Sequence, residues 1–114
     1  LGMAVEGPSR EGFFLYPLYR VDGTRQDSAG GDDRSYILPN GRPHDWSLQY
    51  TPGGAAGPGR IRVMLDSTST TLDLAEGIHS ADARFNRFGI ITTWVDGNGQ
   101  QVYFDDLTYT TGQP

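Results

Sequence analysis

The sequence predicts an all-β fold made of short antiparallel strands, and three observations support this prediction. No segment keeps apolar residues three and four positions apart over the length of a helix. Several short segments instead alternate apolar and polar residues, as half-buried strands do. Between them stand most of the 16 glycines and seven prolines of the 114-residue chain, which is typical of turn-rich β-proteins. The length predicts a single domain over residues 1–114, with residues 1–12 as a lead-in or a short strand.

The first third of the chain contains one strong strand signal and one long polar segment. Phe13–Val21 (FFLYPLYRV) is predicted to be an edge strand or to carry a bulge, because Pro17 cannot donate a hydrogen bond to a neighbouring strand. An exposed edge invites pairing, so this strand is a candidate contact with a partner chain or a second copy. Asp22–Ser35 reads as a polar loop. Tyr36–Leu38 reads as a short strand that ends in a turn at Pro39–Gly41.

The middle of the chain alternates more regularly. Asp45–Thr51 and Arg60–Asp66 are predicted strands joined by the glycine-rich connection Pro52–Gly59, and Thr70–Ala75 is predicted to return after a turn at Ser67–Ser69. The residues predicted to face the core are Trp46, Leu48, Tyr50, Ile61, Val63, Leu65, Leu72 and Leu74.

Phe85–Thr110 is predicted to form the central hairpin of the fold. Its strands are Arg87–Val95 and Gln101–Thr110, and the Asp-Gly and Asn-Gly pairs of Asp96–Gly99 suit a tight turn. Both faces of both strands are mostly apolar, which favours a position inside a sheet. The adjacent carboxylates of Asp105–Asp106 are the exception, because a buried carboxylate needs a hydrogen bond, an ion pair or a metal.

The charge and the cysteine count exclude several classes of function. Nine arginines, no lysine and 14 acidic residues give a net charge of −5, whereas nucleic-acid binding calls for a basic stripe. Without cysteine the chain has no disulfide, no thiolate chemistry and no Cys-ligated zinc. No apolar run approaches the roughly 20 residues of a membrane-spanning helix, and no signal peptide is visible.

Three segments in order resemble the concanavalin A-like lectin/glucanase superfamily, including laminin-G-like modules of bacterial secreted proteins. They are Pro43–Tyr50 (PHDWSLQY), Gly59–Asp66 (GRIRVMLD) and Arg87–Thr110. The resemblance implies an antiparallel two-sheet β-sandwich of jelly-roll type, an extracellular location and a sugar-binding face. Ser67 stands where those modules have a glycine, so the turn there is expected to differ. Domains of this kind are longer than 114 residues, so the resemblance also allows an incomplete jelly roll.

Aromatic and planar polar side chains are the candidate sugar contacts, because a sugar ring has an apolar face and a polar rim. Trp94 and Asn98 lie near the mouth of the predicted hairpin, and the strand beside the polar loop supplies three more candidates. The carbohydrate-binding candidates are Tyr16, Tyr19, Arg20, Trp94 and Asn98, with Gln49 and Arg62 as further polar partners. A core position is the alternative for each aromatic residue, and Trp46 is predicted to be core.

Asp105 is the candidate metal ligand. It aligns with an aspartate that lectin-like glucanases place beside a structural calcium, and calcium takes six to eight oxygen ligands. Asp32 and Asp33 are candidates for completing such a site. The alternative is that Asp105 and Asp106 accept hydrogen bonds from arginine or backbone amides.

The acidic residues do not form a catalytic pair. Glycoside hydrolysis needs two carboxyl groups about 5–10 Å apart across the bound sugar, and Glu6, Glu11 and Glu76 are isolated in the sequence. Neighbouring strand residues such as Asp105 and Asp106 point to opposite faces. The sequence therefore predicts a non-catalytic, extracellular carbohydrate-binding module. The alternatives are a structural, adhesion or self-assembling surface subunit without a sugar site, and a fragment of a larger glycoside hydrolase.

Overall fold

The computed structural model describes residues 1–21, 25–28, 34–55, 57–75 and 103–110. Within these ranges the chain forms strands, turns and irregular segments and no helix, so none of them holds a helix able to cross a membrane. The chain divides into two compact units, Leu1–Ala83 and Arg84–Pro114. All the described strands belong to the first unit, and the all-β prediction is confirmed there.

The seven strands within the described residues form two antiparallel sheets. In sheet 1 the order is β1-β2-β3, and β4 also pairs with β2. In sheet 2 the order is β5-β6-β7. The strands are β1 Gly2–Ser9, β2 Gly12–Val21, β3 Arg25–Ser28, β4 Ser35–Ile37, β5 Trp46–Thr51, β6 Arg60–Leu65 and β7 Thr68–Asp73.

β2 is the central strand of sheet 1, so the prediction that Phe13–Val21 forms an edge is wrong. β1 pairs along one side of β2, while β3 and β4 pair with different parts of the other side. The β4 ladder ends at Leu15 and the β3 ladder begins at Leu18. On that side the described residues leave Tyr16 and Pro17 without a ladder partner, and a proline without an N–H group is tolerated at such a gap. Since both sides of β2 are occupied, it offers no edge to a partner chain.

The predicted loop Asp22–Ser35 contains a strand. β3 forms a hairpin with β2, and its ladder runs from the pair Leu18–Ser28 to the pair Val21–Arg25. The sequence of β3, RQDS, has no apolar alternation, so the pairing depends on backbone hydrogen bonds that hydrophobic pattern does not report. The short strand predicted at Tyr36–Leu38 is confirmed, shifted by one residue to Ser35–Ile37.

Of the two alternatives predicted for residues 1–12, a lead-in or a short strand, the structure shows the strand. β1 pairs with β2 and has a bulge between Glu6 and Ser9. Gly12 begins β2 with φ of 103°, and a Cβ atom there would lie only 2.3 Å from the carbonyl oxygen of Ile37. Glycine therefore permits the close approach of the backbones of β2 and β4.

Sheet 2 follows the predicted alternation. Ile61, Val63 and Leu65 of β6 are buried, while the residues between them are exposed or half-buried. The turn into β7 consists of Asp66 and Ser67, with φ of 51° at Asp66. The turn thus begins one residue before the predicted Ser67–Ser69, and β7 includes Thr68 and Ser69.

The core consists of two clusters that take side chains from both sheets. The first holds Leu15, Val63 and Leu65, with Met3, Ile37, Trp46 and Leu48 packed against it. The second holds Tyr19, Ile61 and Leu74, with Leu48, Tyr50 and Leu72 packed against it. All eight predicted core residues of the middle region are members. Fully burying such a side chain, as at Leu15, Ile61 and Val63, contributes about 1.5–3 kcal/mol.

The predicted return strand Gln101–Thr110 is not a strand over its described part, residues 103–110, which are exposed. Asp106 has φ of 51°, and its amide donates to Asp105 Oδ1 at 2.9 Å. Such a local side-chain bond competes with ladder pairing. The rest of the predicted hairpin, residues 85–102, lies outside the described residues.

Candidate functional site

The outer face of sheet 1, opposite the core, carries a group of aromatic and charged side chains. Successive strand residues alternate between faces, so Leu15 and Tyr19 point to the core while Phe14 and Tyr16 lie on the outer face. The ladders place partners beside them, since residues paired across antiparallel strands share a face. Phe14 pairs with Tyr36 of β4 and with Glu6 of β1. We call Glu6, Phe14, Tyr16, Arg34 and Tyr36 the outer-face cluster.

Arg34 lies against the aromatic rings of this cluster. Its guanidinium carbon is 5.3 Å from the centroid of the Phe14 ring and 4.8 Å from that of Tyr16. The Phe14 and Tyr36 rings meet edge to face, with centroids 5.0 Å apart and planes inclined at 63°. Cation–π contacts within about 6 Å contribute roughly 0.5–1 kcal/mol each at exposed sites. The rings therefore hold the guanidinium at a defined place on the sheet.

The carboxylate of Glu6 accepts a hydrogen bond from a tyrosine hydroxyl group. The Tyr16 hydroxyl donates to Glu6 Oε2 at 2.7 Å. Burial, the hydrogen bond to Glu6 and the charge of Glu6 raise the pKa of Tyr16, and the Arg34 charge opposes them. The Tyr16 hydroxyl therefore keeps its proton, and with it the hydrogen bond to Glu6, throughout the neutral pH range.

Arg34 has no acidic partner in the described part of the chain. Both ion pairs found there, within a limit of 4.0 Å, join other side chains, His44 to Asp66 and Arg60 to Asp73. The Nε of Arg34 is buried and lacks a hydrogen-bond partner among the described residues. Tyr36, beside it, is 44% exposed. Among the described residues, the cluster thus combines an accessible ring with a cation that lies against two ring faces.

The outer face of sheet 2 differs in composition. The ladders align Gln49 with Arg62 and Arg62 with Thr71, and Arg62 Nε donates to Ser69 Oγ at 2.8 Å. Gln49 and Arg62, both candidate sugar contacts, are therefore neighbours, but the paired residues around them on this face include no aromatic ring. The face offers hydrogen bonds without a stacking surface.

Arg60 on the same face is neutralised by Asp73. Its Nε and Nη2 donate to the two carboxylate oxygens at 2.6 and 3.3 Å. Hydrogen bonding from Arg60 is the largest effect on Asp73 and, together with the Arg60 charge, lowers its pKa although burial raises it. Hydrogen bonding to Asp73, followed by the Asp73 charge, raises the pKa of Arg60.

At one end of sheet 2, Asp66 forms hydrogen bonds with the residues that precede β5. Its carboxylate meets His44 Nδ1 at 2.9 Å and accepts the Asp45 amide at 3.0 Å, while its own amide donates to the Asp45 carbonyl at 2.7 Å. The His44 hydrogen bond, then the Asp45 amide, lower the pKa of Asp66. These contacts tie the start of β5 to the turn between β6 and β7, so we assign them a structural role.

The described residues among the predicted sugar contacts lie in different environments. Tyr16 belongs to the outer-face cluster. Tyr19 is 3% exposed in the core, and its hydroxyl accepts the Ala75 amide at 3.3 Å, so the prediction that it lines a groove is wrong. Three positions separate Tyr16 from Tyr19, and an odd separation puts two strand residues on opposite faces. Arg20 lies in β2, where it pairs with Gln26 of β3. Two further candidates, Trp94 and Asn98, lie outside the described residues.

The candidate calcium ligand Asp105 is exposed, in the segment 103–110. Its Oδ1 accepts the amide of Asp106. Asp32 and Asp33 lie outside the described residues. Within the described residues, no three His, Cys, Asp or Glu side chains are grouped as a metal site requires. Calcium binding therefore stays a prediction.

Four members of the outer-face cluster were not predicted as site residues: Glu6, Phe14, Arg34 and Tyr36. Alternation alone would place Phe14 on the same face as Tyr16. Bringing Tyr36 and Glu6 beside Phe14 requires the pairing register of three strands, which the sequence does not state. Arg34 was assigned to a polar loop, where an arginine is ordinarily solvated.

Comparison with protein-family models, with curated proteins and with solved structures finds no match to this chain. The resemblance to the concanavalin A-like superfamily therefore stays a prediction, and the functional argument rests on the geometry of the chain.

Proposed function

We propose that this protein is a non-catalytic carbohydrate-binding module that binds its ligand on the outer face of sheet 1. The observation that carries the proposal is the outer-face cluster, where an accessible Tyr36 ring lies beside an arginine fixed on two other rings. A pyranose ring stacks its C–H face on an aromatic side chain, and its hydroxyl groups need planar or charged hydrogen-bonding partners. Arg34 and Glu6 supply such partners beside the ring.

The wider setting of the proposal is a two-sheet β-sandwich of the jelly-roll, concanavalin A-like type. The shared core of sheets 1 and 2 supports it, since two sheets that bury their apolar faces against one another are what a sandwich requires. An extracellular location and a structural calcium at Asp105 belong to the same proposal and rest on the sequence resemblance.

We propose binding without cleavage because the described part of the site has one carboxylate where hydrolysis needs two. Hydrolysis needs a pair of carboxyl groups across the sugar. In the described residues the outer-face cluster supplies only Glu6, whose Oε2 already accepts the Tyr16 hydroxyl.

The test compares Tyr36→Ala with the unchanged protein by isothermal titration calorimetry against a panel of soluble polysaccharides. Loss of the stacking ring is expected to weaken binding about tenfold, which corresponds to about 1.4 kcal/mol. Thr71→Ala, an exposed change on the outer face of sheet 2, is the matched control and should leave the affinity unchanged. If Thr71→Ala weakens binding while Tyr36→Ala does not, the site lies on sheet 2 and the proposed location is wrong.

A self-assembling structural or adhesion subunit is the second candidate. It is favoured by the segment 103–110, in which Leu107 and Tyr109 are 52% and 81% exposed. Exposed apolar residues of this size mark contact surfaces when they are contiguous. Sedimentation velocity over a hundredfold range of concentration tests it. Assembly should appear in the unchanged protein and disappear in the double variant Leu107→Asp, Tyr109→Asp, whereas a monomer at every concentration would contradict it.

A further inference from the structure

We infer that the saccharide bound at the outer-face cluster is acidic, with the carboxylate of a uronic acid unit held by Arg34. This inference rests on the proposed function and adds the chemical class of the ligand. It is carried by the environment of Arg34, which differs from that of the paired arginine on the other sheet.

The two arginines Arg34 and Arg60 show the difference. Arg60 meets both oxygens of Asp73 in a two-point contact, so its charge and its fork of donors are used within the protein. Arg34 lies over the Phe14 and Tyr16 rings, and none of the carboxylates whose side chains the structure describes lies within 4.0 Å of it. Ring faces stabilise a cation but do not replace the oxygen acceptors of a guanidinium, which has five N–H donors and stays charged at all physiological pH values.

The carboxylate of the cluster, that of Glu6, forms no ion pair with Arg34. Glu6 shares the outer face with Phe14 through its place in the β1–β2 ladder. Its Oε2 accepts the Tyr16 hydroxyl instead of pairing with Arg34. The raised pKa of Tyr16 keeps that proton in place, so the hydrogen bond persists at neutral pH. Among the side chains that the structure describes, Arg34 is thus left without a carboxylate partner.

A uronic acid unit matches both parts of the cluster. Its ring has the apolar face that stacks on Tyr36, which is 44% exposed. Its carboxylate is planar and accepts two parallel hydrogen bonds from a guanidinium, a geometry that neutral sugars lack. Because Phe14 links the Tyr36 ring to Arg34 through direct contacts, one sugar unit is expected to reach both.

The net charge of the chain makes this inference easy to test. At −5 the protein as a whole repels polyanions. Non-specific electrostatic attraction is therefore not expected, and binding of an acidic polysaccharide would report a local site.

The experiment uses polygalacturonate, polyglucuronate and polymannuronate, each beside its carboxyl-reduced form, which keeps the backbone and replaces the carboxylate with a hydroxymethyl group. At least one acidic polymer should bind, and its reduced form should bind at least tenfold more weakly. Arg34→Gln should remove this preference, and Arg34→Lys should restore part of it, because lysine keeps the charge but not the two-point contact. Arg42→Gln, at an exposed arginine outside both sheets, should leave it intact. Thermal unfolding of each variant verifies that it is folded.

The other outcomes separate the two proposals. Equal or tighter binding of the reduced, neutral polymers would overturn the acidic-ligand inference and leave carbohydrate binding standing. A preference for acid that survives Arg34→Gln would overturn the assignment to Arg34. Binding only to sulfated polysaccharides would overturn the carboxylate assignment. If no polysaccharide in either form binds, both the inference and the proposed sugar site on sheet 1 fail.

Discussion

The outer faces of the two sheets differ in the side chains that they carry. The outer face of sheet 2 is a polar surface on which Arg60 forms an ion pair with Asp73 and Arg62 donates to the Ser69 hydroxyl. On sheet 1 the outer face carries three aromatic rings, and Arg34, packed on two of them, has no acidic partner among the described residues. The two sheets use their inner faces in the same way, so the difference concerns only what solvent or a ligand meets.

This contrast is the basis for proposing that sheet 2 provides the stable frame and sheet 1 the binding surface. A sheet with one buried face normally alternates apolar and polar residues, and sheet 2 does so. An aromatic outer face departs from that default. The proposals above locate binding on sheet 1 for this reason.

The largest expected effect comes from changing the inner face of β6 rather than its outer face. Ile61→Ala removes a fully buried side chain of the second core cluster. The loss of packing and the remaining cavity should lower the free energy of unfolding by about 2–5 kcal/mol. Urea denaturation followed by tryptophan fluorescence measures the change.

Arg62→Ala is the matched control one residue away. Arg62 is exposed on the outer face and bonds only to Ser69 among the described residues, so its replacement should change stability by no more than about 0.5 kcal/mol. Similar losses for both variants would mean that β6 does not separate an inner from an outer face, and the comparison of the two sheets would lose its basis.

The sequence predicted sheet 2 well and sheet 1 only in part. Alternation in β5 and β6 identifies their buried faces, because each strand is half exposed and its pattern reports that directly. β2 has apolar residues on both faces, so alternation does not say which face is the core. Pro17 indicated an edge, whereas the gap between the ladders of β3 and β4 accommodates it within a central strand.

The candidate site depended on information that no local pattern contains. Tyr16 was identified from its residue type and its position beside the polar segment. Tyr36 and Glu6 lie 22 and eight positions from Phe14 in the sequence, and the pairing registers of the strands bring them beside it. Arg34 joins it through packing on ring faces. Register and packing are properties of the folded chain, which explains why Tyr19 was predicted as a contact and Arg34 was not.

The smallest expected effect is a loss of stability in acid that comes from sheet 2. The carboxylates with lowered pKa, Asp66 and Asp73, both belong to its hydrogen-bonding network. Each binds a proton less readily in the folded state than in the unfolded chain, where the pKa is close to 3.8. The unfolded state therefore takes up more protons as the pH falls. The stabilisation is complete above the unfolded pKa and is lost as the pH falls toward the lower folded value.

Urea midpoints measured from pH 6 down to pH 2.5 (a range of about 3.5 units that spans the ordinary carboxyl pKa) test this assignment. Asp66→Asn and Asp73→Asn should each lower the midpoint at pH 6 and flatten its fall below about pH 4. Both side chains are largely exposed, so each change is expected to be small. Thr71→Ala, an exposed change on the outer face of sheet 2 that alters no charge, serves as the comparison and should leave the acid slope in place. A slope that persists unchanged in both aspartate variants would contradict the assignment, because the hydrogen-bonded carboxylates of sheet 2 would then not cause the loss of stability in acid.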